Sequence, residues 1–186
     1  MHIKKGVVRF ILNNKSKMVG LILIILFLSI TFSVMAKPSL PEGWRLPTEK
    51  ETSNEFMWRD EDEKRYLSVV ADFNGDGNED KAFLLMNDNK DSMGLFVLLS
   101  HGDSYEKYQL GELEGTSWIE VMGITDVKAG KYKTACGLGY FECSPGESEE
   151  LTLKNPAIDF FTFGSVNSFF YWNEAEGEFE RVWMSG

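Results

Sequence analysis

Short apolar runs, punctuated by Gly, Asn, Asp and Pro, set the pattern of this chain beyond residue 65. Tyr66 to Ala71 and Lys81 to Met86 flank a polar turn. Gly94 to Leu99 is apolar throughout, the signature of a strand covered on both faces and so central in its sheet. Ser104 to Leu110 returns from it past His101-Gly102-Asp103. Further strands are expected over Trp118 to Ile124, Lys131 to Cys136, Glu150 to Leu153 and Ile158 to Phe163. Ser168 to Trp172 and Glu178 to Met184 form a last pair around a turn containing Gly177. The one helix signal comes earlier. Thr48 stands as N-cap with Glu51 at capping-box spacing, opening a short helix that reaches Trp58 and ends at the charged run Arg59 to Arg65. The expected fold is mainly β: an antiparallel sheet, sandwich or small barrel with one short N-terminal helix. No internal repeat supports a propeller or solenoid.

The N-terminus follows a different pattern. Lys4, Lys5, Arg9, Lys15 and Lys17 precede an apolar run from Met18 to Ala36, which ends in the small-x-small triplet Val34-Met35-Ala36. A basic segment, an apolar core and such an exit make a signal peptide cut before Lys37. The apolar run is also long enough, at roughly 19 residues, to stay as a membrane anchor, the only membrane contact expected of this chain. No Cys follows it to carry a lipid. In both readings residues 37–186 are exported, to the periplasm or beyond, as a single β-rich domain.

Export changes the charge balance. Five of the 19 Lys and Arg lie before residue 37 and all 29 Asp and Glu lie after it, leaving a net charge of −15. Such a surface repels nucleic acid and anionic lipid, and suits cations and basic proteins.

One segment carries recognisable chemistry: Asp72-Phe73-Asn74-Gly75-Asp76-Gly77-Asn78-Glu79-Asp80. Oxygen-bearing side chains stand at its positions 1, 3, 5 and 9, and Gly77 at position 6 permits the backbone reversal that aims them at one point. Calcium is a hard cation that takes six to eight oxygens from such loops. Asp72, Asn74, Asp76 and Asp80 are the expected side-chain ligands, with the backbone carbonyl of Asn78 completing the set and Glu79 pointing outward. The competing reading is a metal-free Asn/Asp/Gly hairpin turn. An EF-hand is excluded, because position 12 is Phe83 and the flanks are strands.

The stretch from Ala71 to Asp80, followed by apolar Ala82 to Leu85, resembles the calcium loop of FG-GAP and VCBS-type repeats, where D-x-[DN]-x-D-G-x-x-D joins two strands. The resemblance implies a structural calcium ion that pins a hairpin and supports protein or glycan binding. This chain has one such loop where those families have several. Cys136 to Phe163 is also similar to exported proteins of Gram-negative bacteria, a resemblance that implies no activity.

Cys136 and Cys143 are the only cysteines, and an isolated pair in an oxidising compartment forms a disulfide. Their spacing fits neither a redox C-x-x-C motif nor a zinc site. His101 is the single histidine after the cut, and Asp103 and Ser104 stand too close to it in sequence to build a triad. No catalytic constellation is present. Trp172 fits a hairpin core or a sugar-stacking platform. Three functions follow as expectations. The first is an exported, calcium- and disulfide-stabilised module binding a protein or glycan of the envelope. The second is an acidic inhibitor or immunity-type protein that neutralises a basic enzyme or toxin. The third is a hydrolase with an acid pair that the sequence does not single out.

Overall fold

A computed structural model of the chain describes residues 39–53, 58, 59, 62 and 64–186. The proposed signal segment 1–36 lies outside the described residues, as do positions 54–57 on the expected path of the helix to Trp58. In chain order the elements are α1 (Glu49–Thr52), β1 (Ser68–Ala71), β2 (Asp80–Asn87), β3 (Ser92–His101) and β4 (Ser104–Glu114). A 3₁₀ turn (Thr116–Glu120) leads to β5 (Met122–Val127) and β6 (Gly130–Lys133). The chain ends with β7 (Glu150–Leu153), β8 (Ala157–Thr162), β9 (Asn167–Asn173) and β10 (Glu178–Trp183).

Two four-stranded antiparallel sheets result, ordered β1-β2-β3-β4 and β10-β9-β8-β5, with β6 and β7 as a separate pair. Strand alternation explains how they meet. Leu84 and Met86 of β2 and Leu95, Val97 and Leu99 of β3 share one apolar cluster with Ile124, Ile158, Phe160 and Phe170 of the other sheet. Full burial of each such side chain contributes about 1.5–3 kcal/mol, which makes this sandwich interior the main source of stability. The fold class expected from the pattern is the one observed.

Each sheet is also covered on its outer face. Leu85, Phe96 and Leu98 turn the other way, under Leu40, Trp44 and Tyr105. Val127, Leu151, Leu153, Phe169 and Met184 form the corresponding outer cluster beside Tyr132 of β6. Hence β3 is buried from Ser92 to Ser100, as an all-apolar central strand requires.

Two elements differ from expectation. Trp118 to Ile124 is not a single strand: Thr116–Glu120 forms a 3₁₀ turn, and β5 starts at Met122. The cause is distant in sequence. Asp91, in the β2–β3 turn, accepts the Gly115 N–H on its backbone oxygen at 2.7 Å and the Thr116 hydroxyl on its carboxylate at 3.0 Å. The turn then places Ile119 in the core and leaves Trp118 outside. The strand expected over Lys131 to Cys136 ends at Lys133, because the Thr134 N–H turns to the Glu149 carbonyl and that of Ala135 to the Trp183 carbonyl.

The short helix is held as its sequence implies. Glu51 accepts the Thr48 N–H at 2.8 Å and is clamped by both terminal nitrogens of Arg45 at 2.9 and 2.7 Å. Arg45 also binds Asp88, and its backbone bridges to Met86. The N-terminal segment is thus fastened along the β2 edge.

Candidate functional site

Ala71 and Asp80 are register partners, so residues 72–79 form the connection between adjacent antiparallel strands. The loop is anchored at its base and free at its tip. Phe73 is fully buried in the sandwich interior, whereas residues 75–79 are exposed. Gly75 and Gly77 have φ of +76° and +87°, the left-handed region that glycine enters at least cost. A Cβ on Gly75 would also stand 2.6 Å from the Asn155 side chain, which would have to move aside for any other residue.

Asp72 organises the tip. Its Oδ1 accepts the N–H groups of Gly75 and Asp76 at 2.8 and 3.1 Å, and its Oδ2 accepts that of Gly77 at 2.9 Å. Asp76 accepts the Asn78 N–H at 2.8 Å, the Asn78 amide at 3.0 Å and the Asn74 amide at 3.1 Å. Those donors hold its carboxyl below the usual range, the Asn78 N–H first among them. Asn74 in turn accepts the Asp76 N–H on its side-chain oxygen. Asp72, Asn74, Asp76 and Asn78 therefore form one connected network.

Asp80 plays a different part. It is fully buried, with Oδ2 accepting the Phe73 N–H at 2.9 Å and Oδ1 the Ser100 N–H at 2.8 Å. Burial pushes its carboxyl above the usual range, and the neighbouring Asp76 charge adds to that push. Glu79 is exposed, in line with its expected outward orientation.

The donor set is oxygen throughout, as calcium prefers. A carboxylate offers about four lone-pair sites, so Asp72 and Asp76, each accepting three N–H bonds, keep acceptor capacity. Among the described residues no group of three or more His, Cys, Asp or Glu is already drawn together as a metal cage. The carboxylates are turned onto loop N–H groups instead. The composition of the loop fits the ion, and Asp72, Asn74, Asp76 and the Asn78 carbonyl are the groups that would hold it over Asp80.

The second feature is the disulfide. Cys136 and Cys143 are joined, with Cα atoms 5.0 Å apart. The bond is consistent with an oxidising, exported compartment. Its loop displays Leu138, Tyr140 and Phe141, all exposed, and is fastened to β10 through the Ala135–Trp183 backbone bond. Gly137 is required there: a Cβ would lie 2.0 Å from the Glu149 carbonyl oxygen. Phe141 and Trp183 share a groove of about 220 Å³ with Glu147, Glu150 and Glu180. Within it, Tyr171 donates its hydroxyl to Glu180, its cross-strand partner. Burial and that carboxylate push the phenol up to about 12.

His101 is the exposed last residue of β3, with its ring 3.3 Å from Glu106. Trp172 packs edge-on against Tyr108 and Phe179, with ring centroids 5.7 and 5.2 Å away, as in a hairpin core. Reading the sequence alone misses the inward role of Asp80 and the placement of Arg181 beside Trp183. The i, i+2 spacing of the latter pair is the available signal, since it puts both on one strand face. Comparison with protein families, curated proteins and solved structures returns no match.

Proposed function

We propose that this protein is an exported, non-enzymatic binding module, with calcium in the Asp72–Asp80 loop as a structural ion and the disulfide loop as the presenting surface. One observation carries this reading. A connection between neighbouring strands gathers Asp72, Asn74 and Asp76 in mutual contact at an exposed tip, while Phe73 and Asp80 lock its base. An ion there would tie the tip to a rigid sheet without altering the core. On a separate loop, the solvent-exposed apolar residues Leu138, Tyr140 and Phe141 are constrained by the disulfide and suit contact with a protein or glycan.

The acidic groove favours a second reading, an inhibitor of a basic protein. Glu147, Glu150 and Glu180 outnumber the one cation, Arg181, along this cleft in a chain of strong negative charge. Affinity capture from envelope extract separates the two. For the binding module, the partner is retained in moderate salt and lost with Tyr140→Ser and Phe141→Ser. For the inhibitor, moderate salt releases the partner and those two substitutions leave it bound. Capture that is indifferent to both treatments contradicts the assignment of this surface.

A further inference from the structure

The two sheets leave an apolar cavity of about 230 Å³ between their inner faces, near the β10 edge. Its floor is formed by buried side chains: Met93 and Leu95 from one sheet, Met122, Phe160 and Phe170 from the other. The β4 wall has a gap. Gly111 pairs with inward-facing Leu95, and a Cβ placed on it meets nothing within 4 Å. A side chain at that core-facing position would occupy the hollow; glycine leaves it open.

The lip is chemically distinct. Trp118 and Trp183 stand there half in solvent, and Arg181 lies between Trp183 and the interior. Its guanidinium carbon is 4.0 Å from the Trp183 ring centroid, 5.4 Å from that of Phe170 and 6.0 Å from that of Phe160. Register explains the grouping: Arg181 pairs with Phe170 and Trp183 with Ser168, which puts all four on the inner face. The Arg181 Nε donates to Ser168 Oγ at 2.9 Å. Arginine carries five N–H donors, and among the described residues no carboxylate pairs with this one. In so acidic a chain that is an unusual position for a guanidinium. The ring faces lower its pKa through burial, yet arginine remains a cation at neutral pH.

The other polar groups at the cavity are engaged. Glu112 accepts the Ser92 hydroxyl at 2.8 Å and the Gln109 amide at 2.6 Å, and faces Lys90 at 3.6 Å. The Thr162 hydroxyl donates to the Met122 sulfur. Arg181 is therefore the cationic lining group with donors to offer a ligand, flanked at the lip by the indole N–H groups of Trp118 and Trp183. Size bounds the remainder. An apolar cavity of about 150 Å³ takes benzene, so this one takes a body of about eight carbons.

We propose that this cavity binds a small amphipathic carboxylate, its aliphatic or phenyl body seated between the sheets and its carboxylate on the Arg181 guanidinium. The site goes beyond the calcium reading and does not depend on it. Guanidinium–carboxylate pairing supplies charge selectivity, and the apolar floor supplies affinity.

Octanoate, octanol and octylammonium, titrated into the purified protein in chelator and followed by tryptophan fluorescence and calorimetry, test the proposal. Octanoate is expected to bind with sub-millimolar affinity, octanol about tenfold more weakly, and octylammonium not measurably. Gly111→Val, which fills open space, is expected to abolish octanoate binding while the thermal midpoint holds. Arg181→Gln is expected to reduce octanoate to the level of octanol. Arg181→Lys, which keeps the charge, is expected to restore part of the difference. The proposal is overturned if octanoate fails to bind at millimolar concentration, if all three probes bind alike, or if Gly111→Val binds octanoate as the parent does.

Discussion

The carboxylate of Asp80 accepts the buried backbone N–H of Ser100 at 2.8 Å, at the point where β3 runs past the start of β2. Its second oxygen holds the Phe73 N–H, so one side chain joins the 72–80 loop, β2 and β3. Asp80→Ala leaves two buried donors without acceptors, at about 1–3 kcal/mol each. Urea denaturation of this variant is expected to show a loss of about 2–4 kcal/mol. Asp80→Asn keeps one acceptor oxygen and is expected to lose less. A loss below about 0.5 kcal/mol for Asp80→Ala would contradict the anchoring role.

The disulfide closes a short loop, for which chain entropy gives about 2–3 kcal/mol. Reduction is expected to lower the melting temperature by several degrees. The native, unreduced protein is expected to take up no alkylating reagent on Cys136 or Cys143, as mass spectrometry can check.

Gly137→Ala tests the same loop without touching the bond. The added methyl meets the Glu149 carbonyl, a backbone atom that cannot rotate aside. A loss of about 1–3 kcal/mol is expected. Gly139→Ala is the useful contrast: its new methyl meets nothing, and the cost arises only from its φ of +82°. A Gly137→Ala protein as stable as the parent would show that the Glu149 backbone does not press on this loop.

Acid weakens the N-terminal bracket in a defined window. The Arg45 guanidinium holds the Glu51 carboxyl down to about 2, from an ordinary value of 4.5. With the folded value depressed, the unfolded chain takes up the proton first as pH falls. The contribution is complete above 4.5 and disappears as the pH drops toward 2. Urea midpoints of the parent and of Glu51→Gln are therefore expected to differ at neutral pH and to converge in acid. A difference that stays constant across this range would rule out the Arg45–Glu51 pair as its source.

Local chemistry was the legible part of this molecule. The apolar run of β3 marked a strand covered on both faces, and the paired cysteines and the Asn-Gly-Asp-Gly turn were recognisable without tertiary information. What escaped depended on distant partners. Nothing around Trp118 announces a 3₁₀ turn, since Asp91, from the far end of a hairpin, organises it. The spacing of the loop marks Asp80 as an oxygen donor alongside Asp72 and Asp76, but its bonds to the Phe73 and Ser100 N–H groups follow from where β3 passes. The cavity beneath Arg181 required the register of β9 on β10 and a glycine in β4, which no short motif encodes.

Calorimetric titration of calcium into the chelator-stripped protein decides whether residues 72–80 hold an ion. One site is expected, with a dissociation constant of about 10⁻⁴–10⁻³ M, the range of extracellular modules. Asp76→Ala is expected to remove the heat with little change in the metal-free fold, because its present partners are exposed loop groups. At about ten times the dissociation constant, calcium is expected to add about 1.4 kcal/mol of stability, and magnesium distinctly less. No heat at millimolar calcium, or the same heat from Asp76→Ala, would make residues 72–80 a hairpin turn held by its own hydrogen bonds.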